Sequence, residues 1–105
     1  MAQFRVFGNA NPASRRVYPY LLDVQSDLVS GLSTRVVVPL CPVTAMKGKL
    51  IDTLMPVFLV GGKRYAMVTP ELAGVARQQL GPEVADLSLA RNEIVAALDL
   101  LFTGI

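Results

Sequence analysis

Residues 86–105 carry the strongest helical pattern in this chain, and that pattern limits how everything before it can fold. Apolar side chains recur there on one helix face, which also includes Arg91. The apolar members of this face are Leu87, Ile94, Leu98, Leu101 and Ile105, and it is widened by Ala90, Val95, Ala97 and Phe102. Ser88 or Asp86 can act as the N-cap, and Gly104 suits the left-handed residue that ends a helix. Because such a face must be buried against another layer, we expect the rest of the chain to supply a sheet.

The segments before this helix have the composition of short strands joined by turns. Alternating or β-branched runs occur at 3–7, 18–24, 35–40, 55–60 and 63–68. The run at 35–40 lacks alternation, which is typical of a strand buried on both faces, and Pro39 should weaken its end. Gly61 and Gly62 separate two runs and predict a tight hairpin, since a type I′ turn needs positive φ at both central positions.

The segment at 69–80 is ambiguous. Thr69, Pro70 and Glu71 resemble a helix start, so the local pattern predicts a short helix here. Gly74 lowers the helix propensity of this segment by about 1 kcal/mol. Gly81 and Pro82 then predict a break in the chain. These elements together give an α+β class: a small twisted antiparallel sheet or open barrel with a C-terminal helix against it.

The composition limits the classes of protein to which this chain can belong. The chain has 105 residues, which suits one domain spanning 1–105, and 52% of them are hydrophobic, which leaves apolar surface for a subunit interface. A net charge of +2 is too small for a strongly basic nucleic-acid binder. No apolar run reaches the roughly 20 residues of a membrane helix, and the N-terminus lacks a signal peptide pattern. We therefore expect a cytoplasmic protein with no membrane association.

The chain contains no histidine and a single cysteine, Cys41. Histidine is the commonest general base and metal ligand, and a cysteine without a histidine partner is a poor nucleophile candidate. Cys41 is better explained as small buried filler. No phosphate-binding or dinucleotide-binding glycine pattern is present. We predict no catalytic residues, no metal site and no cofactor.

Two stretches are candidates for contact with a partner. Leu28 and Val29 are apolar residues inside an otherwise polar loop, which is a modest interaction signal. The helix end carries Asp99 and no cation after Arg91, although a helix C-terminus favours cations. The apolar end of the helix either folds back onto the last turn or serves as a docking surface. In the second case, we expect a partner to bring a cation such as arginine to it.

Several segments, taken in order, resemble one known family. They are QFRVF at 3–7, LLDVQSDLVS at 21–30, RVVVPL at 35–40, EVADLS at 83–88 and F-x-G-I at 102–105. This combination is similar to the CcdB toxins of bacterial toxin–antitoxin pairs, and it covers nearly the whole chain. The resemblance implies a homodimer with an SH3-like barrel core and a C-terminal helix, a fold class shared with the MazF toxins. It also implies that 72–80 forms a strand rather than the helix that the local pattern predicts.

The resemblance also implies a function. CcdB-like toxins bind the A subunit of DNA gyrase and trap its complex with cleaved DNA. A labile CcdA-like antitoxin neutralises them, and the toxin reaches operator DNA only through that antitoxin when the pair represses its own operon. Such pairs act in plasmid maintenance and transcription regulation.

The resemblance assigns contact residues by position in this sequence. The gyrase-binding end corresponds to Thr103, Gly104 and Ile105. The antitoxin-binding surface corresponds to Leu28, Val29, Asp99 and Phe102, and because the two surfaces overlap in the family, these four residues also belong to the gyrase surface. Thr103 stands where some members carry a tryptophan, and Asp99 stands where an asparagine can occur. Threonine cannot supply the large stacking face of a tryptophan.

Two other functions compete with gyrase poisoning. A MazF-like ribonuclease would need an acid/base pair and phosphate-binding cations, and without histidine it would have to use Arg15, Arg16, Arg35, Asp23 and Asp27. A homologue that has lost toxicity would act only as a sink for antitoxin. Cleavage of RNA by the protein without gyrase would distinguish the ribonuclease, because a shared fold does not fix function.

Overall fold

The computed structural model describes residues 3–104, in which seven strands precede a long C-terminal helix. The elements are β1 (Arg5–Asn9), β2 (Tyr20–Asp23), β3 (Thr34–Pro42), α1 (Val43–Met46), β4 (Val57–Val60), β5 (Lys63–Met67), β6 (Ala73–Ala76), β7 (Leu80–Asp86) and α2 (Arg91–Thr103). Short 3-10 turns lie at Asp27–Val29, Thr69–Glu71, Arg77–Gln79 and Ser88–Ala90.

The strands form one curled antiparallel sheet, a half-barrel, in the order β4-β5-β3-β2-β1-β7, with β6 paired to β3. The outermost pairing joins Arg5 of β1 to Asp86 of β7, near opposite ends of the sequence. The predicted α+β class, a twisted antiparallel sheet with a C-terminal helix, is confirmed.

Strand β3 holds the sheet together because it pairs with three neighbours. Its first half, 34–37, pairs with β6, its second half, 40–42, pairs with β5, and β2 lies along its other side. Pro39 lies where the partner changes from β6 to β5, so its missing N–H costs no bond to either of them. Pro39 was expected to disrupt the ladder near the end of this strand. On one side the pairing does change partner there, from Val37 with β6 to Leu40 with β5, but the pairing with β2 is unbroken and β3 continues to Pro42.

The hairpin predicted around Gly61 and Gly62 is confirmed. β4 and β5 pair from Val57↔Ala66 to Val60↔Lys63, and the two glycines have φ of +59° and +80°. Positive φ at both positions is the conformation that only glycine adopts without strain.

The helix that the local pattern predicts at 69–80 is wrong, and the strand implied by the family resemblance is correct for 73–76. Residues 69–71 and 77–79 form 3-10 turns on either side of β6. Gly81 and Pro82 do not break the chain but lie inside β7, a strand bonded to β1 alone within the described sheet. The register shifts opposite them, and a Cβ on Gly81 would stand 3.0 Å from the Gly8 carbonyl oxygen. Glycine therefore permits a close approach of the two backbones here.

Helix α2 packs on the inner face of the sheet through Ile94 and Ala97, which are fully buried. They join a core of residues from five strands and their flanks: Phe4, Val6, Leu22, Val24, Val38, Leu40, Phe58, Val60, Tyr65 and Met67. The predicted apolar stripe is thus confirmed at its centre. Phe102 was expected to widen that stripe, but it is 69% exposed.

The ends of α2 are formed differently from one another. Neither predicted N-cap bonds the first turn of α2, which follows a 3-10 turn; Asp86 instead accepts from the N–H of Ser88 at 2.9 Å. At the other end Gly104 has φ of +73°, and its N–H donates to the Leu100 carbonyl at 3.0 Å. The glycine-ended helix is therefore confirmed.

Cys41 is buried in β3, and its burial raises the pKa of the thiol above its ordinary value. Because the thiolate is the reactive form, we expect the native protein to react with iodoacetamide far more slowly than a free cysteine at neutral pH. Mass spectrometry of alkylation with and without denaturant would measure this difference. Equal rates in the two conditions would show that Cys41 is accessible.

Candidate functional site

The loop after β2 displays apolar side chains to solvent. Ser26 begins a 3-10 turn at Asp27–Val29, and its hydroxyl accepts from the Leu28 N–H at 3.2 Å. Leu28 is 96% exposed and Val29 is 48% exposed. An almost fully exposed leucine in an ordered turn contributes little to the core, so this turn has the character of a contact surface.

A fully buried ion pair lies beneath this loop. The Arg35 side chain contacts the Asp23 carboxylate through Nε at 2.9 Å and Nη2 at 2.7 Å, and both side chains are inaccessible to solvent. Burial raises the pKa of the Asp23 carboxyl, while hydrogen bonds from Arg35 and the Gln25 N–H lower it. Arg35 Nη1 has no hydrogen-bond partner among the described residues. This pair could not be predicted from the sequence, because Arg35 begins a run of otherwise apolar residues.

Gln25 links the loop to the sheet. Its side-chain Nε2 donates to the Val29 carbonyl at 2.9 Å, and its Oε1 accepts from the Val36 N–H at 2.9 Å. Its main-chain N–H donates to Asp23 Oδ1, and its carbonyl accepts from Arg35 Nη2 at 3.3 Å. Every polar group of this residue is therefore used to hold the loop in place.

The last turns of α2 form the second exposed group. Phe102, Thr103 and Gly104 are all exposed, and so is Asp99 one turn earlier. The Thr103 hydroxyl donates to the Asp99 carbonyl at 2.6 Å, and no cation lies in the last turn. The carboxylate of Asp99 and the helix C-terminus therefore give this end an acidic field. Ile105 lies outside the described residues.

The six described residues that the resemblance assigns to partner contacts all face solvent. They fall into two groups: Leu28 and Val29 on the turn after β2, and Asp99, Phe102, Thr103 and Gly104 at the end of α2. Neither group is hydrogen-bonded to the other within residues 3–104. Each group places an exposed large apolar side chain on regular secondary structure, a 3-10 turn in one case and the end of a helix in the other.

A groove in the described part of the chain lies away from both exposed groups. This groove of about 600 Å³ is lined by Pro42–Thr44 and Gly62–Tyr65, and none of the assigned contact residues takes part in it. Among residues 3–104, no three side chains of His, Cys, Asp or Glu are grouped so that they could hold a metal ion. In the same part of the chain, no helix has the length and apolar character needed to cross a membrane.

Comparison with known families agrees with the fold and with the segments singled out in the sequence. The CcdB protein family matches residues 3–104, a range that includes both exposed groups up to Gly104. A match of this extent covers nearly the whole chain and includes every strand and both helices. The chain therefore belongs to the CcdB family and is a toxin of the toxin–antitoxin kind.

Proposed function

We propose that this toxin binds the A subunit of DNA gyrase and traps the complex of gyrase with cleaved DNA, and that a CcdA-like antitoxin neutralises it. The observation that carries the proposal is the exposure of Leu28 on a hydrogen-bonded turn and of Phe102 on the last turn of α2. Aromatic side chains are enriched at protein interfaces, where a few residues supply most of the binding energy. Both lie at positions that the family resemblance assigns to partner contacts.

The burial of Asp23 and Arg35 favours a binding protein over a catalyst. A MazF-like ribonuclease built from this chain would need those two groups among its charged residues, and both side chains are fully buried and committed to each other. Asp27, which is half-exposed, accepts from the Gln3 N–H at 3.0 Å. Arg15 and Arg16 remain exposed, but cations without an acid/base pair do not make a ribonuclease.

The active form that we propose is a homodimer acting in the cytoplasm. Apolar side chains that face solvent in one copy of the chain include Val17, Leu32, Ile51, Leu59, Val84 and Leu89. This much exposed apolar surface is compatible with a second copy covering part of it. The toxin would reach operator DNA only through its antitoxin, in keeping with a net charge of +2. Plasmid maintenance and repression of its own operon follow from the same proposal.

Thr103 changes how gyrase would be held. Its hydroxyl is bonded to the Asp99 carbonyl, and it offers no flat face on which a partner could stack. Phe102, the neighbouring aromatic residue, would then be the main anchor at this end. An arginine of gyrase or of the antitoxin would complement Asp99 and the uncapped carbonyls of the last turn.

The test is DNA cleavage by gyrase with ATP, in the presence and absence of this protein. We expect linear DNA to accumulate when the toxin is present and to disappear when the CcdA-like antitoxin is added. A folded dimer that produces no linear DNA would contradict the proposed target. Incubation with RNA alone would then identify a ribonuclease, and antitoxin binding without either activity would identify a sink.

A further inference from the structure

The turn that displays Leu28 and Val29 is not held by apolar packing. None of its three residues, Asp27–Val29, is buried. Apolar burial is the usual source of stability for a short segment, and a loop without it normally opens at little cost. The order of this turn must therefore come from hydrogen bonds.

Among the hydrogen bonds that hold the turn, those of the Gln25 side chain are protected from solvent. Gln25 is 7% exposed, and its side chain joins the Val29 carbonyl to the Val36 N–H of β3. The other side-chain tie from the turn to the rest of the chain is the Asp27 carboxylate, which receives the Gln3 N–H at 3.0 Å and lies 3.6 Å from Arg35 Nη2. The main-chain bonds of Gln25 to Asp23 and Arg35 precede the turn, and the bond from the Leu28 N–H to the Ser26 hydroxyl lies within it. The Asp27 side chain is more than half exposed, and ties through such a group are weakened by water.

We propose that Gln25 is the positioning residue of the Leu28–Val29 surface: its carboxamide fixes the turn to β3 in the form that the A subunit of gyrase binds. The proposal rests on the proposed function and adds to it a residue that touches no partner. A surface that is already in its bound conformation spares the partner the entropic cost of ordering it. Without the carboxamide the turn samples other conformations. The apparent dissociation constant then equals the intrinsic one divided by the fraction of molecules in which the turn is correctly formed.

Asn9 provides a matched control in the same molecule. It is also buried, and its Nδ2 donates to Ser14 Oγ at 2.9 Å and to the Tyr18 carbonyl at 2.8 Å. Its Oδ1 accepts from the Asn11 N–H at 3.0 Å. Asn9 therefore holds the loop between β1 and β2 as Gln25 holds the next one. That first loop carries none of the assigned contact residues.

The experiment compares Gln25→Ala, Gln25→Met and Asn9→Ala with the unsubstituted full chain. The probe is a purified fragment of the gyrase A subunit, and calorimetry gives its dissociation constant. We expect both Gln25 variants to weaken binding about tenfold or more. We expect Asn9→Ala to bind normally, even though it loses a comparable amount of thermal stability. Equal binding by Gln25→Ala and the unsubstituted chain would overturn the proposal, as would equal losses in the Gln25 and Asn9 variants.

Amide hydrogen exchange gives a second measurement that does not depend on gyrase. In the unsubstituted protein, we expect the N–H groups of Val29 and Ser30, which donate to Ser26 and Asp27 carbonyls, to be protected. The Gln25 variants should lose that protection while the sheet amides keep theirs. If the Val29 and Ser30 N–H groups of the unsubstituted protein exchange as fast as those of an unstructured loop, the positioning role is overturned. This result does not require the Gln25 variants to fold. If the unsubstituted chain does not bind gyrase, the proposed target is refuted. The hydrogen-exchange comparison then decides the role of Gln25.

Discussion

We expect Asp23→Ala to lower the free energy of unfolding by about 3–5 kcal/mol, because it removes one partner of a buried ion pair. Arg35 would remain fully buried, with only the half-exposed Asp27 carboxylate, 3.6 Å from Nη2, to offset its charge, and its Nη1 already has no hydrogen-bond partner in the described part of the chain. Stabilities of natural domains are about 5–15 kcal/mol, so this single change would leave the protein marginal or unfolded. Denaturant titration followed by circular dichroism measures the difference.

Two further variants test whether the buried charge is the cause. Glu83→Ala removes an ion pair of similar length, 2.8 Å to Arg5, but both side chains of that pair are partly exposed. We expect its thermal midpoint to stay nearly unchanged, because exposed pairs contribute little. Asp23→Leu combined with Arg35→Met should recover much of the stability that Asp23→Ala loses. If Asp23→Ala is as stable as Glu83→Ala, the buried Asp23–Arg35 pair contributes no more to stability than the exposed Arg5–Glu83 pair.

We expect Phe102→Ala to weaken gyrase binding by about 2 kcal/mol or more, roughly thirtyfold in the dissociation constant, because truncated aromatic anchors typically cost this much. Phe102 is largely exposed and contributes little to the core, so the fold should survive the change. Titration of the gyrase fragment and the cleavage assay would both detect the loss. The same variant should bind the antitoxin less tightly, because the resemblance assigns Phe102 to that surface.

Leu89→Ala is the control for this change. Leu89 is also fully exposed, but it lies in the 3-10 turn that precedes α2, at the opposite end of the helix from Phe102. We expect its affinity for gyrase to match that of the unsubstituted chain. If Phe102→Ala binds as well as Leu89→Ala, the end of α2 is not the docking surface and its exposed apolar side chain has another use.

Part of this fold can be predicted from local sequence alone. The Gly61-Gly62 hairpin and the Gly104 helix end were predictable, because each depends on a backbone conformation that glycine adopts without strain. The centre of α2 was predictable from spacing, since Ile94 and Ala97 follow the apolar period. The helix pattern at 69–80 failed, because pairing of β6 with β3 overrides weak local propensity.

The candidate site was predictable only in outline. Leu28 and Val29 stand out as apolar residues in a polar loop, and their exposure agrees with that signal. The contacts beneath them could not be predicted, because Asp23 and Arg35 meet through pairing of β2 with β3 and not through sequence spacing. The same holds for Gln25, which reads as an ordinary loop residue until its bonds to Val29 and Val36 are known.

The pairing of β1 with β7 has a consequence for synthesis on the ribosome. Arg5 is opposite Asp86, so the first strand cannot complete its hydrogen bonds until the last strand has been made. At roughly 5–20 residues per second, the wait is about 4–16 seconds. The apolar faces of the early strands stay uncovered during that interval, and α2, which closes the core, is made later still. A nascent toxin therefore cannot present the α2 part of its contact surface before translation of this region is nearly finished, which leaves time for chaperones to bind the exposed apolar strands first.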